Sequence, residues 1–454
     1  MLKEYFDIVE QNKDKIYEVC DSLYDDPETS FEEYHAVELL KNILRSEGFL
    51  ITSDLVGMDT AFSATFGEGY PHIGVLSEYD GLPGMSQVGE IGECKSIEGL
   101  DKNHSCGHNL YAGGSLGAVL AIKEYIKKNK KGRVTFFGCP AEEAGAGKVY
   151  MARDGVFSDV DAVLSWHPES MYMVRTRPSL ACIKSDYEFT GIASHAGANP
   201  DKGRSALDAV ELMNVGVNFL REHMPLSARI HYSILDAGGR APNIVQSHAS
   251  VRYMIRANTI EEVRALKERV DKCAMGASLM TETQWTDKVI SGYSSLVTIP
   301  TLQKLADEVM REAELPVATK EELEYGKKLQ ESMQLTLEQK ALPIFANVVK
   351  EPAPPAAHGG STDTADVSWV CPAVQMHIGN WVTGTPGHSW QSCSQSRGSY
   401  AKRATVYASK ALAGIAIRLF ENPDILLKAK EEHKAKTING YDCPIPKEVK
   451  PSIE

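Results

Sequence analysis

The stretch Asn103–Ile126, NHSCGHNLYAGGSLGAVLAIKEYI, decides how the chain is read. Cys106 and His108 stand two positions apart where a polar turn gives way to a glycine-rich apolar helix. Together with carboxylates, such side chains bind Zn²⁺, Mn²⁺ and related ions. A buried thiol beside a structural histidine would show the same local pattern. The remaining donors must therefore come from elsewhere.

They stand at the ends of apolar runs. HIGVLSEYD, RVTFFGCP and DAVLSWHP read as buried strands feeding polar loops. The helix-like runs LGAVLAIKEYIKKN and GAGKVYMARDGVF lie between or beside them. This alternation predicts an α/β sheet whose strand ends carry a site. Upstream, SFEEYHAVELLKNILRSEG opens with a Ser30-x-x-Glu33 capping-box pattern and continues with helical spacing at Val37, Leu40 and Ile43.

Near residue 184 the texture changes. KSDYEFTGIAS reads as a strand and SALDAVELMNVGVNFLREHM as a helix, followed by the strands ARIHYSILDAG and ASVRYMIRANT. A second helix starts at a Thr259-x-x-Glu262 box, and a last strand falls near TETQWTDKVI. This β-α-β-β-α-β order describes a small split βαβ domain. A long helical pattern resumes near Thr298, so residues 184–297 are expected as an insertion between catalytic segments 1–183 and 298–454. Pro352, Pro354 and Pro355 punctuate a loop before HGGSTDTADVSW, and AKRATVYASKALAGIAIRLFE reads as a covering helix.

At 454 residues, two domains are the default. A net charge of -13 argues against a general nucleic-acid surface. No apolar run is long enough for a membrane span, and the N-terminal MLKEYFDIVEQNKDKIYEV lacks a signal-peptide pattern. The nine cysteines are scattered, with neither a disulfide framework nor a CxxC knuckle. A cytoplasmic setting is expected.

The candidate metal donors are Cys106, His108, Glu142 or Glu143 after RVTFFGCPA, His167 at the end of DAVLSWH, and His388 in GTPGHSW. A thiolate in such a set is able to bridge two ions. Consecutive side chains on an extended segment point oppositely, but a turn at a strand end brings both to one cavity. We assign Glu143 to metal and Glu142 to proton transfer, although local chemistry alone does not orient the pair. Asp80, in SEYDGLP, is placed to orient a ligand histidine. Each residue taken singly has an ordinary structural alternative: a buried thiol, a solvated acidic turn or a capping aspartate.

The blocks EYDGLPG, NHSCGHNLYAGGSLGA, GCPAEEAGAGK, WHPE, GIASHAGANPDKGRSALDAV, GGRAPNIVQ, GGSTDTADVSW and GTPGHSWQ follow one another across about residues 75 to 390. In that order the chain resembles the M20 family of metal-dependent peptidases and amidohydrolases. The resemblance implies a two-domain α/β fold: a mixed-sheet catalytic domain with an inserted ferredoxin-like α+β lid or dimerisation domain. It implies two divalent ions per active site, Mn²⁺ or Zn²⁺, held by Cys106, His108, Glu143, His167 and His388. Glu142 then resembles the general base and Asp80 the acid that supports the centre. His195, in SHAG, resembles a residue that reaches a partner active site and stabilises an oxyanion. Asn243 and Arg256 resemble substrate contacts. The chain departs from the pattern at Glu78, where other members carry histidine, and at Asn109, where many carry aspartate.

The reaction expected from this resemblance is hydrolysis of the amide in aminobenzoyl-glutamate or a closely similar N-acyl amino acid. Dipeptide cleavage and deacylation of other N-acyl amino acids use the same chemistry, and a noncatalytic scaffold is the alternative of a different class. The partners expected are a small amide substrate and a second copy of the chain, or a related subunit, with no nucleic acid and no membrane.

Overall fold

The computed structural model describes residues 2–352 and 360–452. Pro354, Pro355 and the first residues of HGGSTDTADVSW, His358 and Gly359, lie outside them. The larger sheet has seven strands, in the order Leu50–Ser53, Phe62–Glu68, Gly132–Cys139, His72–Glu78, Ala162–Glu169, Ala373–Gly379 and Met173–Val174. The four strands Gly132–Cys139, His72–Glu78, Ala162–Glu169 and Ala373–Gly379 run parallel, and the outer pairings are antiparallel. Every residue of His72–Glu78 is buried, as a central strand covered on both faces requires. Because the parallel strands share one direction, Glu78, Cys139 and the end of Ala162–Glu169 reach the same rim of the sheet.

The helix His108–Asn129 fixes the Cys106–His108 turn against that sheet. It is apolar on almost all sides, so it is buried rather than amphipathic. Glycine lets it come close: a Cβ at Gly114 would overlap the Trp166 ring, and one at Gly117 would overlap Ile16 and Ser409. The covering helix Ser399–Glu421 packs on its outer side.

The third helix of the chain departs from expectation. Helix Tyr34–Ser46 starts just after Glu33, but Ser30 and Glu33 do not form its capping box. Glu28 accepts the free helix N–H groups of His35 (2.8 Å) and Ala36 (3.0 Å) instead. Phe31 adopts φ +65°, which turns Ser30 and Glu33 inward toward the rim of the sheet. The Thr259 cap does form, with its hydroxyl accepting the Glu262 N–H at 3.3 Å.

The smaller sheet is antiparallel throughout, in the order Arg229–Asp236, His248–Ala257, Ala181–Thr190 and Gln284–Tyr293. Helices Ala206–Leu220 and Ile260–Thr281 close a separate core over it, including Tyr187, Val210, Met213, Val251, Tyr253 and Val263. Its two connections meet one short helix of the catalytic part, Thr364–Val370, and the residues just before it. Ser361 donates to the Leu180 carbonyl, while Asp366 accepts both the N–H and the hydroxyl of Ser294. Ser368 accepts the Val297 N–H, and Trp369 donates to Ser295. Among the described residues no helix is long and apolar enough to cross a membrane.

Candidate metal centre

Cys106 stands in two donor groups at once. One group is Cys106, His108 and His167, and the other is Cys106, Glu143 and His388. Cys106 Sγ lies 3.4 Å from His167 Nε2, and Glu143 Oε2 lies 3.4 Å from His388 Nε2. Two ligands about 2.0–2.3 Å from one ion in a tetrahedral arrangement are separated by about 3.3–3.6 Å, so both pairs have the spacing of shared coordination. A third group, Glu78, His108 and Glu142, adjoins them.

The strand-end turn separates the paired carboxylates. Ala141 takes a left-handed φ of +58°, and the Gly145 N–H closes the turn on the Ala141 carbonyl at 3.0 Å. Glu143 then joins Cys106 and His388, while Glu142 joins Glu78 and His108. The two neighbours thus stand in different donor groups.

Further hydrogen bonds orient the candidate donors. Asp80 Oδ1 accepts from His108 Nδ1 at 2.9 Å, leaving Nε2 toward the Glu78 and Glu143 carboxylates. Asp80 Oδ2 accepts the Glu143 N–H at 3.0 Å and the Ser30 hydroxyl at 2.9 Å. His167 Nδ1 is tied to the Pro168 carbonyl at 2.7 Å, which turns Nε2 toward Cys106. Asn109, where the family pattern carries aspartate, spends its amide on the carbonyls of Cys20 and Ser396.

The electrostatics suit a cation. Burial, reinforced by the charge on His108, pushes His167 down to about 3, so its ring is neutral, as a metal ligand must be. Burial and the Glu143 charge push the Cys106 thiol up, so a thiolate there requires a cation beside it. Burial raises the Asp80 carboxyl, but the His108 hydrogen bond and charge outweigh it and hold it at about 2. Glu78 Oε2, His108 Nε2 and Glu143 Oε1 are all buried without a hydrogen-bond partner. His108 Nε2 is 3.2 Å from Glu78 Oε2 and 4.0 Å from Glu143 Oε1, close enough for ion pairs but without hydrogen-bond geometry. A divalent ion satisfies this convergence of bare polar atoms, and the donor set fits the two-ion centre that the sequence predicts.

A sequence profile for Peptidase family M20/M25/M40 matches residues 74–411. The chain belongs to the M20 family. It is 38% identical to one of the p-aminobenzoyl-glutamate hydrolase subunits of Escherichia coli K12, over 98% of each chain. It is 27% identical to a mouse Xaa-Arg dipeptidase, covering 94% of this chain and 91% of that one. A putative aminohydrolase from methicillin-resistant Staphylococcus aureus shares the fold at a TM-score of 0.69 and 18% identity, covering 92% of this chain and all of that one. An aminobenzoyl-glutamate utilization protein from Klebsiella pneumoniae does so at 0.65 and 18%, over 93% of this chain and 99% of that one. An M20 fold with these donor clusters makes the chain a metal-dependent hydrolase of amide or peptide bonds.

The lid residues assigned from the M20 pattern belong to none of the donor groups found among the described residues. His195 is exposed, and its Nδ1 accepts the N–H groups of Gly197 (3.2 Å) and Ala198 (3.1 Å). Asn243 sits beside it, its carbonyl accepting the Ala196 N–H at 2.9 Å. Arg256 lies at the opposite end of the lid, on the strand His248–Ala257 opposite Cys182, and donates to Ser361 at 2.9 Å. His195 and Asn243 therefore come together, and Arg256 does not join them.

Four residues around the site have roles that the sequence does not reveal. Lys148 is fully buried between Glu78 (2.8 Å) and Asp363 (2.5 Å), although buried lysines are rare. Glu33 is fully buried with its Oε1 on the Ala141 N–H at 2.8 Å, and Ser30 reaches Asp80. The lysine in GCPAEEAGAGK and the first aspartate in GGSTDTADVSW are the available signals.

Proposed function

We propose that this chain hydrolyses the amide of aminobenzoyl-glutamate or a closely similar N-acyl amino acid, releasing an aromatic acid and glutamate. The observation that carries the reading is the divided pair Glu142 and Glu143, one beside His108 and the other beside Cys106 and His388. The substrate class is supported by likeness along nearly the whole chain to the E. coli hydrolase subunit.

In this reading Cys106, His108, Glu143, His167 and His388 hold two divalent ions, Mn²⁺ or Zn²⁺. When bound, such ions activate water and polarise the scissile carbonyl. Glu142 takes a proton from the attacking water and returns it to the leaving nitrogen. Burial, with the charges of Glu78 and Asp363, raises its carboxyl, which favours that proton return. Asp80 keeps His108 oriented. His195 of a neighbouring copy stabilises the developing oxyanion, while Asn243 and Arg256 bind the substrate, Arg256 through paired hydrogen bonds to a carboxylate.

A dimer built through the small domain belongs to the same reading. Phe219, Leu226, Leu279 and Met280 are exposed there, and strand Arg229–Asp236 is an open edge. A related partner chain in place of the second copy is the variant of this reading. All nine cysteines are free, which supports a reducing, cytoplasmic setting.

Purified protein loaded with Mn²⁺ or Zn²⁺ should release the aromatic acid of aminobenzoyl-glutamate faster than it cleaves a panel of Xaa-Arg dipeptides and N-acetyl amino acids. Faster dipeptide cleavage with no aromatic product would overturn the substrate assignment in favour of the dipeptidase reading, which the mouse relative supports.

A further inference from the structure

The segment Glu28–Glu33 lies across the loops that carry the catalytic carboxylates. Its first residues are registered on the loop just past the strand His72–Glu78: the Glu28 carbonyl accepts the Gly81 N–H, and Thr29 bridges Gly81 in parallel. The Ser30 hydroxyl reaches Asp80 Oδ2 at 2.9 Å. Phe31, itself at φ +65°, lays its ring where any side chain on Gly145 would stand. Glu33, fully buried, accepts the Ala141 N–H at 2.8 Å.

These contacts bracket the Ala141–Gly145 turn at both ends. Ala141 holds a left-handed conformation that a non-glycine residue rarely adopts unaided, so something must keep it there. The Glu33 carboxyl holds the amide of that residue, and the Phe31 ring closes the far side of the turn. A shift of this turn would move Glu142 and Glu143 together relative to Asp80 and Cys106. Asp80 joins the two clamps, because the same carboxylate oxygen that takes Ser30 also takes the Glu143 N–H.

We propose that Ser30, Phe31 and Glu33 are positioning residues, a strap that sets the register of the Glu142–Glu143 turn against the metal-holding loops. The strap does not touch the reacting atoms. Its effect falls on the placement of the proton-transfer carboxylate, and this rests on the role proposed above for Glu142.

The test compares Glu33→Gln with Glu33→Met in the full-length, metal-loaded enzyme with aminobenzoyl-glutamate, alongside Glu142→Gln. Glutamine keeps an acceptor for the Ala141 N–H, whereas methionine keeps the bulk and loses the acceptor. Misplacement of a catalytic group by about 1 Å costs on the order of 100-fold in rate. E33M should therefore lose about 10- to 100-fold in kcat while KM and bound metal per chain stay at wild-type values, and E33Q should stay within about threefold of wild type. Equal turnover by E33Q and E33M would overturn the proposal, as would a loss in E33M matched by loss of metal. If E33M does not accumulate as folded protein, Phe31→Ala reads the other clamp. A fall in its kcat at constant KM and metal content supports the strap, and wild-type kcat refutes it. Full activity in E142Q would refute the proton-transfer role of Glu142 alone, because the contrast between E33Q and E33M would still report on the turn.

Discussion

Lys148 holds Glu78 in the interior of the catalytic domain, with Nζ 2.8 Å from Oε1 and both side chains buried. The same ammonium meets Asp363 at 2.5 Å, so one positive charge stands between two negative ones. Glu78 turns its other oxygen to His108, and Asp363 stands at the start of the helix that fastens the connections of the small domain. One buried lysine thus joins the candidate donor cluster to the helix on which the connections of the small domain are fastened.

Removing that lysine should be costly to the fold. Lys148→Met leaves two buried carboxylates without their partner, and breaking a buried ion pair from one side destabilises a protein by about 3–5 kcal/mol. Urea unfolding at fixed metal concentration should show a loss of that order. The double variant with Glu78→Gln should recover part of it, because one of the stranded charges is then gone. Wild-type stability in K148M would show that the triad contributes nothing to folding.

Cys106→Ser should lower metal occupancy and turnover more than stability. Serine is smaller, and its hydroxyl does not ionise near neutral pH, so the donor shared by both clusters is lost. Metal per chain after gel filtration, with the thermal midpoint of the metal-free protein as control, checks this. Two ions per chain and full turnover in C106S would rule out coordination by the thiol.

In the metal-free protein the contribution of Asp366 to stability should fall as pH rises from about 4 toward 7. Burial pushes this carboxyl up to about 7 against the donors Ser294 and Tyr441. With the folded value above the unfolded one, its stabilising contribution is complete below about pH 4 and is lost as pH rises through about 7. Glu33, pushed to about 8 by burial and by the Asp80 charge, acts in the same direction. Asp366→Asn removes this one titrating group, so between about pH 4 and 7 the slope of stability against pH should be more positive in the variant than in the wild type, by at most about 1.4 kcal/mol per pH unit. Urea unfolding at several pH values compares the two proteins, and parallel curves would contradict the assignment.

The candidate donors are legible in the sequence only together, because each ends an apolar run or stands in a polar loop where, taken singly, it has an ordinary structural use. Cys106, His108, Glu143, His167 and His388 meet although they span 282 positions of the chain (388 minus 106). Parallel strands bring Glu78, Cys139 and His167 to one rim, and their alternation with helices is visible in the residues. Ser30 and Glu33 mislead for a physical reason. Ser-x-x-Glu before a helix has a sufficient local explanation, and only the folded chain shows that Glu28 takes the helix amides while Ser30 and Glu33 reach Asp80 and Ala141. Lys148 stays hidden because its partners, Glu78 and Asp363, lie 70 and 215 residues away, beyond the reach of any local pattern.

His195 offers the sharpest test of a site shared between two copies. It is exposed, and its Nδ1 already accepts two backbone N–H groups, so the remaining proton sits on Nε2 and is available as a donor off the loop. Among the described residues it belongs to none of the metal-holding groups of its own chain. If it supplies an oxyanion donor to a neighbour, His195→Ala should keep metal content and assembly while losing about 10²- to 10³-fold in kcat. Glu142→Gln should lose about 10²- to 10⁴-fold for a different reason, the missing proton transfer. In a mixed dimer, the site on the H195A protomer keeps Glu142 and receives an intact His195 from its partner, whereas the other site lacks both. Random exchange of equal amounts makes about half of the dimers mixed, each with one complete site of two, so about a quarter of wild-type activity should return. Exchange of protomers is verified with differently tagged chains, and each homodimer serves as its own baseline. Mixed dimers that form yet stay at that baseline would show that His195 acts within its own chain or not at all.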